Sequence, residues 1–283
     1  MPKKRKNTQK TPASRCNGKT QASASNDTNR EKKFHSFPLH LVKNDGYAGK
    51  DNYRELHELC KGRVWVIPSF FSHKECRAWI DFCESFSSSN GFQYTAHPAS
   101  KYVANRECYR LQEENATEMS ERIFERLQGM KLRTNDDDHS TNNESNILIQ
   151  IQNETADLYP PTRSSRGKKI SHYKPISCNP NLRVYRYDEG HSFGRHVDES
   201  NFVSGRRGGN TEMTMLIYLS TCKGGATRFH QSGVGAASSF CFEPQIGSLL
   251  LHVHGKYCLD HEADVVLSGQ KYVLRTDLVY GRD

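Results

Sequence analysis

The sequence predicts a mainly β fold with flanking helices, an α+β arrangement in which a β-sandwich or jelly roll rests on N-terminal supporting helices. Three observations carry that expectation. From Pro175 onward, short runs rich in β-branched and aromatic residues alternate with turn residues, and no helical pattern interrupts them. Ahead of them, residues 60–131 hold one strand-like run and two helical patterns. The first segment of the chain is polar and basic, with almost nothing to bury.

Taken in order, the basic segment comes first. Residues 1–33 carry ten Lys or Arg against two acids, a balance of +8, which equals the net charge of all 283 residues. The remaining chain is therefore neutral, and a uniformly polyanion-binding core is not supported. Low apolar content leaves too little burial to offset ordering entropy, so residues 1–45 are expected to be a disordered basic tail. Lys3-Lys4-Arg5-Lys6 reads as a nuclear-import signal, which makes an import receptor a candidate partner and the nucleus or cytoplasm the expected location. No apolar run follows those charges, and no stretch reaches the ~20 apolar residues of a membrane span. Nine cysteines, odd in number, irregular in spacing and without CxxC, point to reduced thiols.

"GRVWVIPSF" reads as a strand running into a turn. The next segment, Phe71 to Phe86, is a helix with a legible start. Ser72 and Glu75 form a capping box, and Phe71 and Cys76 sit where a hydrophobic staple would. Cys76, Trp79, Ile80 and Cys83 follow at i, i+3, i+4 and i+7. A second helix is expected from about Ala116 to Met130, started by Asn115 and Glu118 and buried along Met119, Ile123, Phe124 and Leu127. Residues 132–170 lose the pattern and read as a mobile low-complexity insertion. Its short apolar piece, "ILIQIQ", is read as an isolated strand. Residues 171–283 then form the β domain, with strands at "NLRVYRYD", "TEMTMLIYLS", "ATRFH", "SSFCFEP", "GSLLLHV" and "QKYVLRTDLVY".

The chemistry centres on His196-Val197-Asp198. Positions i and i+2 of a strand share a face, so an imidazole and a carboxylate converge without further help. These are two of the three donors of a 2-His-1-carboxylate facial triad for non-haem Fe(II). The third ligand must come from another strand, and His252, His254 and His261 are the candidates. By contrast, His73-Lys74-Glu75 lies in the capping box, where Glu75 has a structural task, and is rejected. Three open metal positions would suit a chelating 2-oxoacid plus O2, and the far carboxylate of that acid needs a buried cation. Lys271, Val273 and Arg275 alternate onto one strand face, presenting two such cations.

At this point the residues resemble a family. Tyr187, Gly190, Phe193, His196 and Asp198, then Tyr218-Leu219-Ser220 before Gly224-Gly225-Ala226-Thr227-Arg228-Phe229, then His261, Val265, Val266, Gly269 and Lys271, stand in a spacing similar to the Fe(II)/2-oxoglutarate-dependent dioxygenases, specifically the prolyl 4-hydroxylase-like catalytic domain. The resemblance is close from about Asn179 to Tyr280 and looser over 63–130. It implies a double-stranded β-helix, cupin-like in form, with Fe(II) on His196, Asp198 and His261. It further implies 2-oxoglutarate on Lys271 with Tyr187, and Arg275 as a second or even the main anchor. O2 is the other co-substrate, and ascorbate accompanies the iron. The implied reaction is hydroxylation of a protein side chain, proline first, with release of succinate and CO2. Two departures weaken transfer of a peptidyl-proline substrate and of one co-substrate contact: "HEADV" follows His261, and Phe193 stands where many relatives have Tyr. Nucleic-acid dealkylation is the alternative within enzymes, but "KYVLRTDLVYGRD" lacks that branch's Arg-x-Asn-x-Thr-x-Arg. A metal-free binding module is the alternative outside them, opposed by the intact triad.

Overall fold

Runs rich in β-branched and aromatic residues pair here, mostly antiparallel, into one main sheet. The computed structural model describes residues 34–44, 52–101, 103–133, 146–160, 162–163, 170–205, 207–231 and 238–282. The basic segment 1–33 with its Lys3–Lys6 signal, and residues 134–145 and 164–169 of the expected insertion, lie outside the described residues. The strands that matter are β1 (Val64–Ile67), β2 (Arg106–Glu113), β3 (Tyr173–Cys178), β4 (Leu182–Tyr187), β5 (Phe193–His196), β6 (Gly209–Tyr218), β7 (Thr227–His230), β8 (Ser239–Phe242), β9 (Leu249–Val253), β10 (Asp260–Ala263) and β11 (Lys271–Arg282). Three helices accompany them: α1 (His73–Glu84), α2 (Thr117–Gln128) and α3 (Ile147–Glu154).

Their order across the sheet is β8-β7-β10-β5-β2-β4-β11-β6-β9-β1, with β3 also on β11. Strands distant in this order line one cavity: Phe193 of β5, Thr227 of β7 and His261 of β10 face Tyr187 of β4, Thr214 of β6 and Lys271 of β11. The sheet is therefore curled on itself, as a jelly-roll double-stranded β-helix requires. The register is set by burial. β11 buries Lys271 to Leu274 and Thr276 to Tyr280, and its central run is hydrogen-bonded on both sides, Val273 lying opposite Tyr185 and Tyr218.

The helices seal the opposite face. Ser72 accepts from the Glu75 amide, and the Glu75 carboxylate reaches back to the Ser72 amide, so the capping box forms as the sequence reads. Cys76, Trp79 and Cys83 are buried with Phe71. Glu75 has a further task that sequence spacing did not reveal. Its carboxylate pairs with Arg126 of α2 in the core, and Arg126 also donates to the Phe70 and Lys43 carbonyls.

Two expectations are corrected. Residues 34–44 read as tail in the sequence, yet Phe37, Leu41 and Val42 are buried in the core with residues of α1 and α2. Arg122 and Arg126 hold the backbone carbonyls of this segment. "ILIQIQ" is helix α3, not a strand. Asn146 caps it by accepting from the Leu148 and Ile149 amides, and Ile147, Leu148 and Ile151 enter the core on one face. The eight described cysteines form no disulfide, and no helix among the described residues is long and apolar enough to cross a membrane.

Candidate metal centre

Cross-strand pairing brings the predicted donors together. β5 and β10 run antiparallel, and His196 lies directly opposite His261. A register shift between Phe193 and His196 introduces a bulge, the kind of local twist that re-aims a side chain beside a site. β5 ends at His196, so Asp198 stands just beyond the strand rather than on it, a correction to the i, i+2 strand reading. Its backbone is instead fixed by neighbours: the Asp198 amide donates to Cys258 Sγ, and its carbonyl accepts from the Gly255 amide.

Protonation and orientation are settled by the partners of each ring. His196 Nδ1 lies 2.8 Å from the Gly194 carbonyl and His261 Nδ1 2.9 Å from the Leu259 carbonyl. A carbonyl only accepts, so each Nδ1 carries the proton and each Nε2 presents a lone pair. His196 Nε2 is 3.9 Å from Asp198 Oδ1, and His261 Nε2 is 3.8 Å from Asp198 Oδ2. One donor atom from each of the three lies within 4.8 Å of the others.

Electrostatics favour the same state. Burial pushes the His196 imidazole down to about 4, with His261 adding to the effect, and burial lowers His261 as well. Burial alone would raise the Asp198 carboxyl, but the Arg275 guanidinium together with His252, His261 and His196 outweighs it and holds that carboxyl well below the usual range. Two neutral imidazoles and one carboxylate are thus ready to ligate without first losing a proton. This donor set fits Fe(II), which accepts nitrogen and oxygen ligands and leaves positions for exchangeable ligands.

Arg275 proves to be turned toward Asp198. Its guanidinium lies 2.9 Å from Asp198 Oδ2, 3.6 Å from Asp277 Oδ1 and 3.3 Å from the Thr214 hydroxyl, which itself donates to Asp198 Oδ2 at 2.6 Å. Oδ2 is therefore occupied by protein donors, and Oδ1 is the oxygen left for a metal. Lys271 stands apart. It is buried, and its amine donates to the Gly225 carbonyl at 2.6 Å with no carboxylate in ion-pair range among the described residues. Burial lowers that amine to about 8. The Gly224-Gly225 pair makes this possible. Both have positive φ, and a Cβ on Gly224 would meet the Val265 carbonyl at 2.5 Å. Tyr187 lies directly across from Lys271 in the β4–β11 pair, with the amine 5.4 Å from its ring. Its hydroxyl has no hydrogen-bond partner among the described residues, and burial keeps the phenol neutral.

The other two histidines separate clearly. His254 places Nδ1 3.0 Å from the Thr211 carbonyl and Nε2 2.7 Å from the Thr214 hydroxyl, so both nitrogens are engaged away from the centre. His252 is buried, lines the cavity, and leaves Nε2 without a partner 3.6 Å from Asp198 Oδ2. His252, Cys258 and His261 make a second convergent set. It is less prepared for a metal: His261 Nδ1 is spent on Leu259, and burial pushes the Cys258 thiol up to about 12. The shared cavity is about 480 Å³ including its mouth.

Residues 182–276, which hold every one of the predicted site residues, match the family described as the 2OG-Fe(II) oxygenase superfamily. The chain carries a 2OG-Fe(II) oxygenase domain, the enzyme domain of 2-oxoglutarate-dependent dioxygenases. Among solved structures, the chain is similar to viral collagen prolyl hydroxylase from Paramecium Bursaria Chlorella virus-1 in its 2OG complex, at 15% identity and TM-score 0.40 over 80% of this chain and 99% of that one. It is similar to a Pseudomonas putida prolyl-4-hydroxylase at 12% identity and TM-score 0.44, over 76% and 92% of the two chains. A Trichoplax adhaerens prolyl hydroxylase, in complex with a hypoxia inducible factor oxygen degradation domain peptide fragment, gives 15% identity and TM-score 0.44 over 77% and 84%. No curated protein sequence matches the chain.

Proposed function

We propose that this dioxygenase hydroxylates a side chain of a protein or peptide, proline first, with 2-oxoglutarate converted to succinate and CO2. His196, Asp198 and His261 would hold the Fe(II), Lys271 and Tyr187 the 2-oxoglutarate. The bound metal, with 2-oxoglutarate and O2, supplies the oxidising power, and the protein orients and shields the reactants. Thr214 and Arg275 fix Asp198 through Oδ2, and Oδ1, the oxygen nearer the His196 lone pair, is left without a protein donor. Lys271 offers a desolvated cation to the far carboxylate, and the free Tyr187 hydroxyl offers a hydrogen bond beside it. The observation that carries the proposal is the convergence of two Nε2 lone pairs and one carboxylate in a cavity whose wall holds a buried, acid-free lysine.

Protein substrates are supported only by the general likeness to prolyl hydroxylases, one of which was solved with a peptide fragment. Ascorbate dependence and nuclear localisation through Lys3–Lys6 belong to the same proposal. The test is incubation with Fe(II), ascorbate and 2-oxoglutarate against peptides from a nuclear extract. A mass gain of one oxygen on a peptide, matched by succinate, is expected. Fe(II)-loaded protein that yields no succinate under any of these conditions overturns the reading.

A further inference from the structure

Three cations line the cavity, and only two have work in the proposed reaction. Lys271 is buried on the Gly225 carbonyl, and Arg275 is paired with Asp198 and Asp277. The third is Arg106, at the start of β2. It lies directly opposite Phe193 of β5, and its guanidinium carbon sits 3.6 Å from the Phe193 ring centroid. The other face of that ring must belong to His196, whose imidazole stacks on Phe193 at 3.8 Å and 23°, since two groups that close cannot share one face. Phe193 is thus a slab between a proposed metal ligand and a cation, which places Arg106 roughly 7 Å from the His196 ring.

Arg106 has no acid. Its Nε is buried without a hydrogen-bond partner, and no ion pair involves it among the described residues. The nearby carboxylates are turned elsewhere. Glu107 accepts from the Tyr94 hydroxyl, and Glu262, also on the cavity wall, lies 2.8 Å from His230. Other arginines of this region each have a carboxylate: Arg195 has Asp260, Arg228 has Asp264 and Arg186 has Glu84. The charge balance leads to the same place. Of the three cations on the cavity wall, Arg275 is matched by Asp198 and Asp277, Lys271 is left for the proposed co-substrate, and Arg106 has no carboxylate partner. A divalent metal and the 2-oxoglutarate dianion cancel each other, so loading the site supplies no counter-charge to Arg106. A half-buried cation beside an aromatic wall is best satisfied by an anion that meets its planar fork with two oxygens.

We propose that Arg106 is an anion subsite that binds a carboxylate of the substrate, so that the preferred substrate is a peptide with an acidic residue close to the hydroxylated side chain. The inference rests on the dioxygenase reading for which molecule is the substrate. Lys271 is the deep, fully buried cation, whereas Arg106 and Phe193 are only half-buried, so the subsite stands toward the open end, where a second reactant enters.

The test compares two pools of capped tetrapeptides, random at three positions and carrying either Asp/Glu or Asn/Gln at the fourth. Binding is measured to Mn(II)-loaded protein with 2-oxoglutarate under anaerobic conditions. The wild-type protein is expected to hold the acidic pool about tenfold more tightly, the scale of one charge-assisted contact. Arg106→Gln should abolish that preference while moving the neutral pool less than about threefold, and Arg106→Lys should keep part of it. Equal binding of the two pools by wild type, or a preference that survives in Arg106→Gln, overturns the proposal. So does an Arg106→Gln protein whose main loss is in 2-oxoglutarate retention, because the arginine then serves the co-substrate. Failure of the dioxygenase reading is seen separately, as absence of succinate from Fe(II)-loaded wild type, and leaves the pool comparison readable.

Discussion

Replacing Lys271 by Met tests the co-substrate anchor and its energetics together. Methionine keeps the length and apolar contacts of the stem and removes only the charge. Burial lowers the amine from 10.5 to about 8, which corresponds to a burial cost of about 3 kcal/mol in the empty site. The folded protein thus sheds this proton near pH 8, while the unfolded chain keeps it to about 10.5. Between those values the unfolded state binds more protons, so wild-type stability rises with pH across that window. Lys271→Met should therefore be more stable than wild type below pH 8, with the difference shrinking between pH 8 and 10.5. Binding should move the opposite way. Loss of the charge-assisted contact is worth roughly 2–5 kcal/mol, at least about 30-fold in the 2-oxoglutarate dissociation constant. In wild type the charged fraction falls from about nine-tenths at pH 7 to about one-tenth at pH 9, so affinity should weaken about tenfold over that range. Calorimetric titration of anaerobic Mn(II) protein with 2-oxoglutarate, with thermal melts at each pH, measures both. A flat pH profile with less than threefold loss in Lys271→Met would refute the assignment of Lys271.

Other variants separate the neighbouring roles. Asp198→Ala should abolish Mn(II) binding, and His261→Ala should cost far more affinity than His254→Ala; the reverse order would remove His261 from the metal set. Arg275→Met should destabilise the fold by about 3 kcal/mol, because buried Asp198 loses its counter-charge while Asp277 keeps Arg183. It should also weaken Mn(II) binding about tenfold through misplacement of Asp198. A larger 2-oxoglutarate effect in Arg275→Met than in Lys271→Met, at unaltered melting temperature, would exchange the two assignments. Arg126→Met should lower stability by about 3 kcal/mol or more by stranding Glu75, with Mn(II) affinity intact as the control. Deleting residues 1–33 should move the protein out of the nucleus in cell imaging and leave turnover in vitro unchanged; lost turnover with retained localisation would place that segment in the active site.

What the sequence disclosed of the fold follows from how local each signal is. The α1 start was legible because a capping box is complete within four residues, Ser72 to Glu75. The strands after Pro175 were legible because turn residues separate short β-branched runs. α3 reads as a strand because "ILIQIQ" alternates as a strand does, and six residues are too few to set period two against period 3.6. The deciding contribution was the Asn146 cap, together with a core that accepts Ile147 and Ile151 on one side. Residues 34–44 read as tail for a different reason. Their apolar residues are few, and their burial depends on Arg126, 83 residues from Lys43, holding the backbone that carries them.

The site shows the same division at closer range. His196, Asp198, His261 and Lys271 are legible as candidates because their spacing repeats a pattern, and the pairing of β5 with β10 sets His196 opposite His261. The partners that make the centre workable have no spacing to read. Arg275 was visible only as a cation on the Lys271 face, and nothing in "KYVLRTDLVY" separates an anchor from a clamp. What separates them is β6, which lies beside β11 and delivers Thr214 to the same carboxylate oxygen. The bond from Thr214 and the ion pair from Arg275 occupy Oδ2 and so reserve Oδ1. That difference divides the two cations of β11: Arg275 shares its charge with Asp198, and Lys271, which has no carboxylate in ion-pair range among the described residues, is the one proposed for the co-substrate. The same reasoning isolates Arg106, which lies outside the matched stretch 182–276 and has a stacked ring and no acid. Among cavity cations, the charge without a carboxylate is the one left to meet a ligand, and that is the ground on which Arg106 is proposed as a subsite.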